Sequence, residues 1–450
     1  MTNIQEFTDK LFGGASAYGF ECCEAYYGSG VSFRAMVRDG GVEEYMNTES
    51  GGLSFRGLIN GRMGYSYSEL IELEVIPALL KNAAQNAEII ESAEEERLFK
   101  GSEKYMEVPA HRRDLSSPDQ KIDMALRMEK RALGTDPRVK SVIHCLVSTG
   151  SGETYISNTL GLSLSHSSDF AFAAVVVQAE ENEQVKVAAE TFIGNDFTGF
   201  DPEDMADKAV GKALSYLGAA PAGSGKYPII LSNTEAVNMF ACFSGIFFAE
   251  KVQKGFSLLK GKLGEKIAAG CVTLRDDGVY KDSPGNAPFD SEGVATKNKA
   301  VIENGELKTY LYNLKSASAD GVESTGNGFK PSFRSPVGTA CTNFYIVPSG
   351  DDLNALFEKM GDGLYITELA GLHSGANAVS GNFSLSADGF TIKNGKIERP
   401  VEQITIAGNF FDLLKDITAV GSDLRFDDAG GAGFYGMPSL LIRELAVSGV

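Results

Sequence analysis

The sequence predicts an α+β protein, with an N-terminal α+β domain built on a mostly antiparallel sheet and a β-rich C-terminal domain. Three observations predict it. The order helix, strands, helix occurs twice before residue 220. The segment 218–226 (GAAPAGSGK) breaks the composition and marks a boundary. From residue 270 onward the chain is Gly-rich with short strand-like runs and few helical ones. Segregated strands and helices, rather than strict βαβ alternation, point to α+β. The expected domains are 1–220, divisible into similar halves 1–95 and 115–220, and 225–450.

Each element follows from its pattern. Residues 3–18 read as an amphipathic helix with Ile4, Phe7, Leu11 and Phe12 on one side. Val31, Phe33, Ala35 and Val37 alternate with Ser32, Arg34, Met36 and Arg38, the mark of a half-buried strand. Gly40-Gly41, Gly51-Gly52 and Asn60-Gly61 punctuate further short strands at 53–59 and 62–68. Asn60-Gly61 is a hairpin signal, because both residues tolerate positive φ. A helix follows over 75–91, then an irregular charged linker over 92–113. The second half repeats the order: a helix at 119–133, strands at 139–148, 154–157, 170–178 and 185–192, and a helix at 201–217. Asp201-Pro202 suits the start of that last helix. Both halves are expected to build one sheet with helices on one face. Beyond the boundary, 229–231 is a strand. Ser232 and Glu235 form a capping box for a helix running through Ala236, Val237, Phe240, Phe243, Phe247 and Val252. Short helices are expected at 353–360 and 410–415.

Charge and composition exclude several functions. With 41 Lys+Arg against 60 Asp+Glu, the formal net charge is −19. That field opposes a broad nucleic-acid face and docking on an anionic membrane. The longest apolar run, 170–177, has strand length rather than bilayer length. Residues 1–10 lack a basic region followed by an apolar run, so no signal peptide is visible and a cytoplasmic location is expected. The six cysteines are scattered without CxxC spacing, which implies neither a zinc knuckle nor a disulfide framework.

Catalytic motifs are sparse. The four histidines are His111, His144, His166 and His373, and none begins an HExxH. His166 and His373 read as turn residues. Cys341 with His373 is the only nameable nucleophile–base pair, and it needs contact in space and a lowered thiol pKa. The GSGK of 223–226 is followed by Tyr227-Pro228 rather than by Ser or Thr and a helix, so it reads as linker. Asp276-Asp277 and Asp427-Asp428 read as solvated turn acids. The loops 284–293 (PGNAPFDSEG), 324–328 (STGNG) and 371–382 (GLHSGANAVSGN) bring backbone groups near a ligand or make tight hairpins.

Longer motifs carry a resemblance. The runs 287–313 (APFDSEGVATKNKAVIENGELKTYLYN), STGNG, 363–371 (GLYITELAG) and 378–409 (AVSGNFSLSADGFTIKNGKIERPVEQITIAGN) resemble the TldD/PmbA family, once labelled modulators of DNA gyrase. They are most similar to its PmbA/TldE branch. The resemblance spans nearly all of 229–450 and is looser before it. It implies an N-terminal α+β domain followed by a barrel-like β domain. It also implies a dimeric peptidase system, in which a TldD-type subunit holds zinc through HExxxH plus a cysteine near its C-terminus and cleaves unfolded peptides.

Residue by residue, this chain departs from that catalytic pattern. Lys262-Leu263-Gly264-Glu265 resembles the segment after the family's metal helix. Counting back sets HExxxH on Phe240, Ala241, Cys242, Phe243, Ser244 and Gly245. Phe240, Ala241 and Gly245 offer no zinc ligand or water-activating carboxylate. The last cysteine is Cys341, so the C-terminal ligand is also missing. The expectation is therefore a PmbA/TldE-like subunit without catalytic residues, metal or cofactor of its own. It would pair with a zinc-bearing TldD-like subunit, or with itself, and take unfolded peptides but no nucleic acid or membrane. The expected substrate contacts are Asp290, Glu292, Thr325, Asn327, Glu368 and Asn382. A non-enzymatic peptide-binding scaffold homodimer and a hydrolase with non-metal chemistry are the alternatives.

Overall fold

The computed structural model describes residues 4–89, 96–109, 114–281, 283–428 and 433–450. The first half is helix α1 (Ile4–Ala15), strands β1 (Cys22–Arg38), β2 (Gly41–Ile59) and β3 (Arg62–Ser68), and helix α2 (Ile76–Ile89). The second repeats it: α3 (Pro118–Thr135), β4 (Val139–Asn158), β5 (Ser163–Glu181), β6 (Gln184–Gly194) and α4 (Pro202–Ser215). The strands form one sheet in the order β3-β2-β1-β4-β5-β6, antiparallel throughout. Its two halves are thus arranged symmetrically about the β1–β4 ladder.

Helices cover one face of this sheet. α1 and α2 pack on Cys23, Ala25, Leu53 and Phe55, while α3 and α4 pack on Cys145, Val147, Ala173 and Val175. Ala25 and Val37 have the same parity on β1, and their cross-strand partners are Phe55 and Cys145, so both helix pairs lie on one side. Caps start two of these helices, the one at Asp201 as its Asp-Pro pair predicts. Ser117 and Gln120 form a capping box on α3, and Asp201 accepts from the amides of Glu203 and Asp204 on α4. Asn60 and Gly61 have φ of 49° and 76°, the conformation of a tight hairpin turn.

The strands run longer than their sequence patterns. β2 passes through Gly51-Gly52, and β4 joins the expected 139–148 and 154–157 strands. Gly28 pairs with Gly52, and Gly30 with Gly152, so glycines meet across the ladder at mid-strand instead of turning the chain. The described linker residues 96–109 form no regular element.

The C-terminal domain contains β7 (Gly225–Leu231), helices α5 (Asn233–Phe243) and α6 (Ala249–Gln253), β8 (Leu274–Asp277), β9 (Lys299–Glu303) and β10 (Glu306–Leu307). It continues with α7 (Leu314–Asp320), β11 (Gly328–Phe329), β12 (Gly338–Thr339), β13 (Asn343–Ile346), α8 (Leu353–Met360), β14 (Gly363–Ala370) and α9 (Leu372–Gly375). Last come β15 (Asn382–Lys393), β16 (Lys396–Asn409), α10 (Phe410–Asp416), β17 (Ile417–Val420), β18 (Arg425–Asp427), β19 (Phe434–Met437) and β20 (Leu440–Ser448). Strands β16-β15-β14-β7-β20 close through a β16–β20 ladder into a five-stranded barrel. A second sheet, β10-β9-β8-β13-β19-β18, lies in the same domain. One core cluster joins barrel residues Ile229, Leu231, Ile366, Leu385 and Ile406 to the aromatic side chains of α5. The expected α+β architecture with a barrel-like C-terminal domain is therefore observed. α7 and α9 were not expected from the sequence. No described helix is long and apolar enough to cross a membrane.

Candidate functional site

Helix α5 ends earlier than its apolar pattern predicts. Ser232 Oγ accepts from Glu235 N at 3.3 Å. The reciprocal arm of the capping box is not made, because Glu235 instead accepts from Asn238 Nδ2 at 3.1 Å. The helix stops at Phe243, a 3₁₀ turn follows over Ser244–Phe247, and α6 resumes at Ala249. Phe240 meets Phe410 edge-on at 5.2 Å, and Phe243 stacks on the same ring at 4.4 Å. Phe240, Phe243 and Phe410 are fully buried. Ala241 packs against the same core and Gly245 lies in the 3₁₀ turn, and neither brings a donor side chain. Zinc does not fit this donor set. Among the described residues, no group of three or more His, Cys, Asp or Glu is placed to hold a metal.

The expected substrate contacts fall into two separate places. Asp290 and Glu292 lie buried in one network with Thr325 and Asn327. Asp290 accepts from the amides of Glu292, Val294 and Gly328 at 2.8–3.0 Å. Burial and the Glu292 charge raise its pKa, while those three amides oppose the rise. Glu292 accepts from Leu314 N at 2.7 Å. A side chain at position 328 would put its Cβ 2.3 Å from the Glu292 carboxylate, so Gly328 permits this close approach. Thr325 Oγ1 donates to Asn327 Oδ1 at 2.7 Å, and Asn327 Nδ2 donates to Asp276 and to the Ala340 carbonyl, both at 2.8 Å. These contacts hold loops against strands. Glu368 and Asn382 lie instead on barrel strands. Burial raises the pKa of Glu368, which faces Lys212 of α4. Asn382 accepts from Asn409 Nδ2 at 2.9 Å. Burial also pushes Glu235 up to about 7, with Glu368 adding to the rise.

A third cluster carries no sequence motif. On the sheet face opposite the helices, Tyr65, Arg56, Glu24 and Asn158 form one cross-strand row, and Tyr67, Ser54 and Tyr26 the next. The C-terminal domain covers these rows. Arg56 Nε donates to Glu24 at 2.7 Å, and its Nη1 lies 3.6 Å from Glu292. Its Nη2 is buried without an acceptor among the described residues. It borders a cavity of about 160 Å³ shared with Tyr65, Glu96 and Asn313. Lys330 Nζ donates to Ser54 at 2.7 Å and sits 5.0 Å from the Tyr26 ring centroid. Burial, reinforced by the Arg56 charge, lowers the Lys330 amine to about 7. The available signal was the alternation of 53–56: Leu53 and Phe55 face the helices, so Ser54 and Arg56 must face something else.

The remaining candidates are not assembled for catalysis. Cys341 is buried, and burial raises its thiol well above the ordinary range, opposite to what a nucleophile needs. His373 is exposed on α9 rather than in a turn. His166 lies in strand β5 and bonds the Asn286 carbonyl through Nε2 at 2.9 Å. His111 lies outside the described residues. Asp276 is not a solvated turn acid but a buried strand residue, 2.9 Å from Lys299 Nζ. Gly225 and Lys226 of the GSGK lie in β7, with Lys226 paired to Glu444. All six cysteines are free thiols.

Comparison with known proteins places this geometry. Residues 224–449 match the PmbA/TldA metallopeptidase C-terminal domain, 114–217 the central domain and 23–87 domain 1. Metalloprotease PmbA of Escherichia coli O157:H7 is 29% identical over 334 residues, covering 74% of this chain and 70% of that one. A metalloprotease TldD homolog of Buchnera aphidicola is 26% identical, covering 95% and 92%. A Thermotoga maritima crystal structure described as a modulator of a DNA gyrase superposes with TM-score 0.91 at 31% identity, covering 99% of this chain and all of that one. TldE from Thermococcus kodakarensis shares the fold, with TM-score 0.89 at 21% identity over 98% of this chain and 100% of that one. With matched domains running through nearly its whole length, this chain belongs to the PmbA/TldD family.

Proposed function

We propose that this chain is a PmbA/TldE-like, non-catalytic subunit of a TldD/PmbA-type metallopeptidase system. It pairs with a TldD-like subunit that carries the zinc, and together they cleave unfolded peptides in the cytoplasm. The observation that supports the reading is the packing of residues 240–245. Where the resemblance sets the family's metal motif, Phe240 and Phe243 close on Phe410, and Phe240, Ala241 and Gly245 stand at the two histidine positions and the glutamate position with no group to ligate zinc or activate a water. The loops held by Asp290, Glu292, Thr325 and Asn327 shape the wall of the peptide cavity, and Glu368 and Asn382 contact the chain within it. The acidic surface and six free cysteines fit a cytoplasmic protein that binds no DNA directly.

The test is co-purification from the native cell followed by a peptide-cleavage assay on the pair. The reading predicts a TldD-like partner and cleavage that requires it. Full cleavage by this chain alone would contradict it. Capture of a second copy only, with no cleavage, would favour the scaffold homodimer.

A further inference from the structure

A cleft of about 750 Å³ lies between the N-terminal half and the loop 330–336 of the C-terminal domain. Its walls include Ser54, Tyr67, Asn82, Asn86, Lys330 and Arg334, and none of its lining residues is acidic. That is a local inversion in a chain with 60 Asp+Glu and a net charge of −19. Asn82, Gln85 and Asn86 are spaced to share one face of α2, with Asn82 and Asn86 one turn apart. Asn86 Nδ2 also donates to the Tyr65 carbonyl at 2.7 Å, which ties α2 to strand β3 at the cleft. Arg334 is held by Glu69 and by the Phe333 ring. Lys330 reaches in from the other side and meets one hydrogen-bond acceptor, Ser54.

We infer that this cleft binds a carboxylate of the peptide, with Lys330 as the charge partner and the α2 amides as donors. The inference rests on the peptide-binding reading and adds what part of the peptide is recognised and where. The groups facing Lys330 are Arg56 on β2, Glu24 and Tyr26 on β1, and Glu292 on its loop. Arg56 is already engaged by Glu24 and Glu292, so it does not compete for the ligand. In the empty cleft, burial and Arg56 hold the amine to about 7. An arriving carboxylate favours the ammonium form, so binding draws a proton from solution at pH values above 7. The carboxylate is either the C-terminus of the peptide or an Asp or Glu side chain.

The experiment uses the full chain and a fluorescently labelled unfolded peptide in two forms, free acid and C-terminal amide, both lacking Asp and Glu. A third form is amidated and carries one internal Asp. The free acid is expected to bind about tenfold more tightly than the amide, a difference of about 1.4 kcal/mol. Lys330→Met is expected to bind both at the weaker level. Calorimetry of the unaltered protein at pH 8 in two buffers is expected to show proton uptake for the acid and none for the amide, a readout that needs no variant. If the third form regains the tighter binding, the carboxylate assignment holds with a side chain as its source. Equal affinity for acid and amide, with no gain from the Asp, overturns the inference and leaves the peptide reading standing. Binding of none of the three overturns both.

Discussion

The α5 packing and the junction under the N-terminal sheet are both buried, yet they are built from opposite materials. At α5, the rings of Phe240, Phe243 and Phe410 meet in one aromatic cluster. At the junction, Arg56, Glu24, Glu292 and Lys330 gather between two domains. The first region derives its stability from apolar contact, so its cost of change is a cavity. The second depends on pairing, so its cost of change is an uncompensated charge. The contrast teaches that this chain gathers a buried cluster of charges at the domain junction, while the end of α5 is packed with aromatic rings.

Breaking each region measures the difference. Arg56→Met leaves Glu24 and Glu292 buried without their cation and is expected to cost about 3–5 kcal/mol. Denaturant melts read this as a lowered midpoint. A change under about 1 kcal/mol would mean that the pair is solvated, contrary to its burial. Phe243→Ala removes the stacked ring and is expected to cost about 3 kcal/mol. Making Glu24→Gln in the same background should add to that loss independently, since the two regions share no partner. Strong coupling would contradict their separation.

A third effect concerns pH. The Lys330 amine is lowered to about 7 from an ordinary 10.5. Between those values the unfolded chain holds a proton that the folded chain lacks, so stability rises with pH across that window. Lys330→Met is expected to flatten the rise from pH 7 to about 10, measured by denaturant melts at fixed ionic strength. An unchanged slope would place the amine in water.

Much of the fold was legible because its signals are local. Alternation marks the strand near Phe33 and Ala35, and Asp201-Pro202 marks the start of α4. Glycine pairs misled, since Gly51-Gly52 lies mid-strand opposite Gly28 and Ser29, where a partner strand supplies what a turn would have supplied. The apolar pattern through Phe243 and Phe247 predicts one continuous helix from Ala236 to Val252. At the break the Ser244 hydroxyl bonds the Ala241 carbonyl at 2.9 Å, a local choice that periodicity does not reveal. Among the expected contact residues, Asp290 and Glu292 are indeed neighbours of Asn327 in a buried network, but Glu368 and Asn382 lie on the barrel. Arg56 and Lys330 escaped notice because they are 274 residues apart in sequence, and only the docking of two domains joins them.

The central claim of the proposed function is that this chain holds no catalytic zinc of its own. Its most direct test is metal analysis of the purified chain by mass spectrometry, before and after zinc loading and dialysis, alongside peptide cleavage without a partner. The account predicts well under one zinc per chain and no cleavage. One full equivalent, held by protein side chains and required for cleavage, would contradict it.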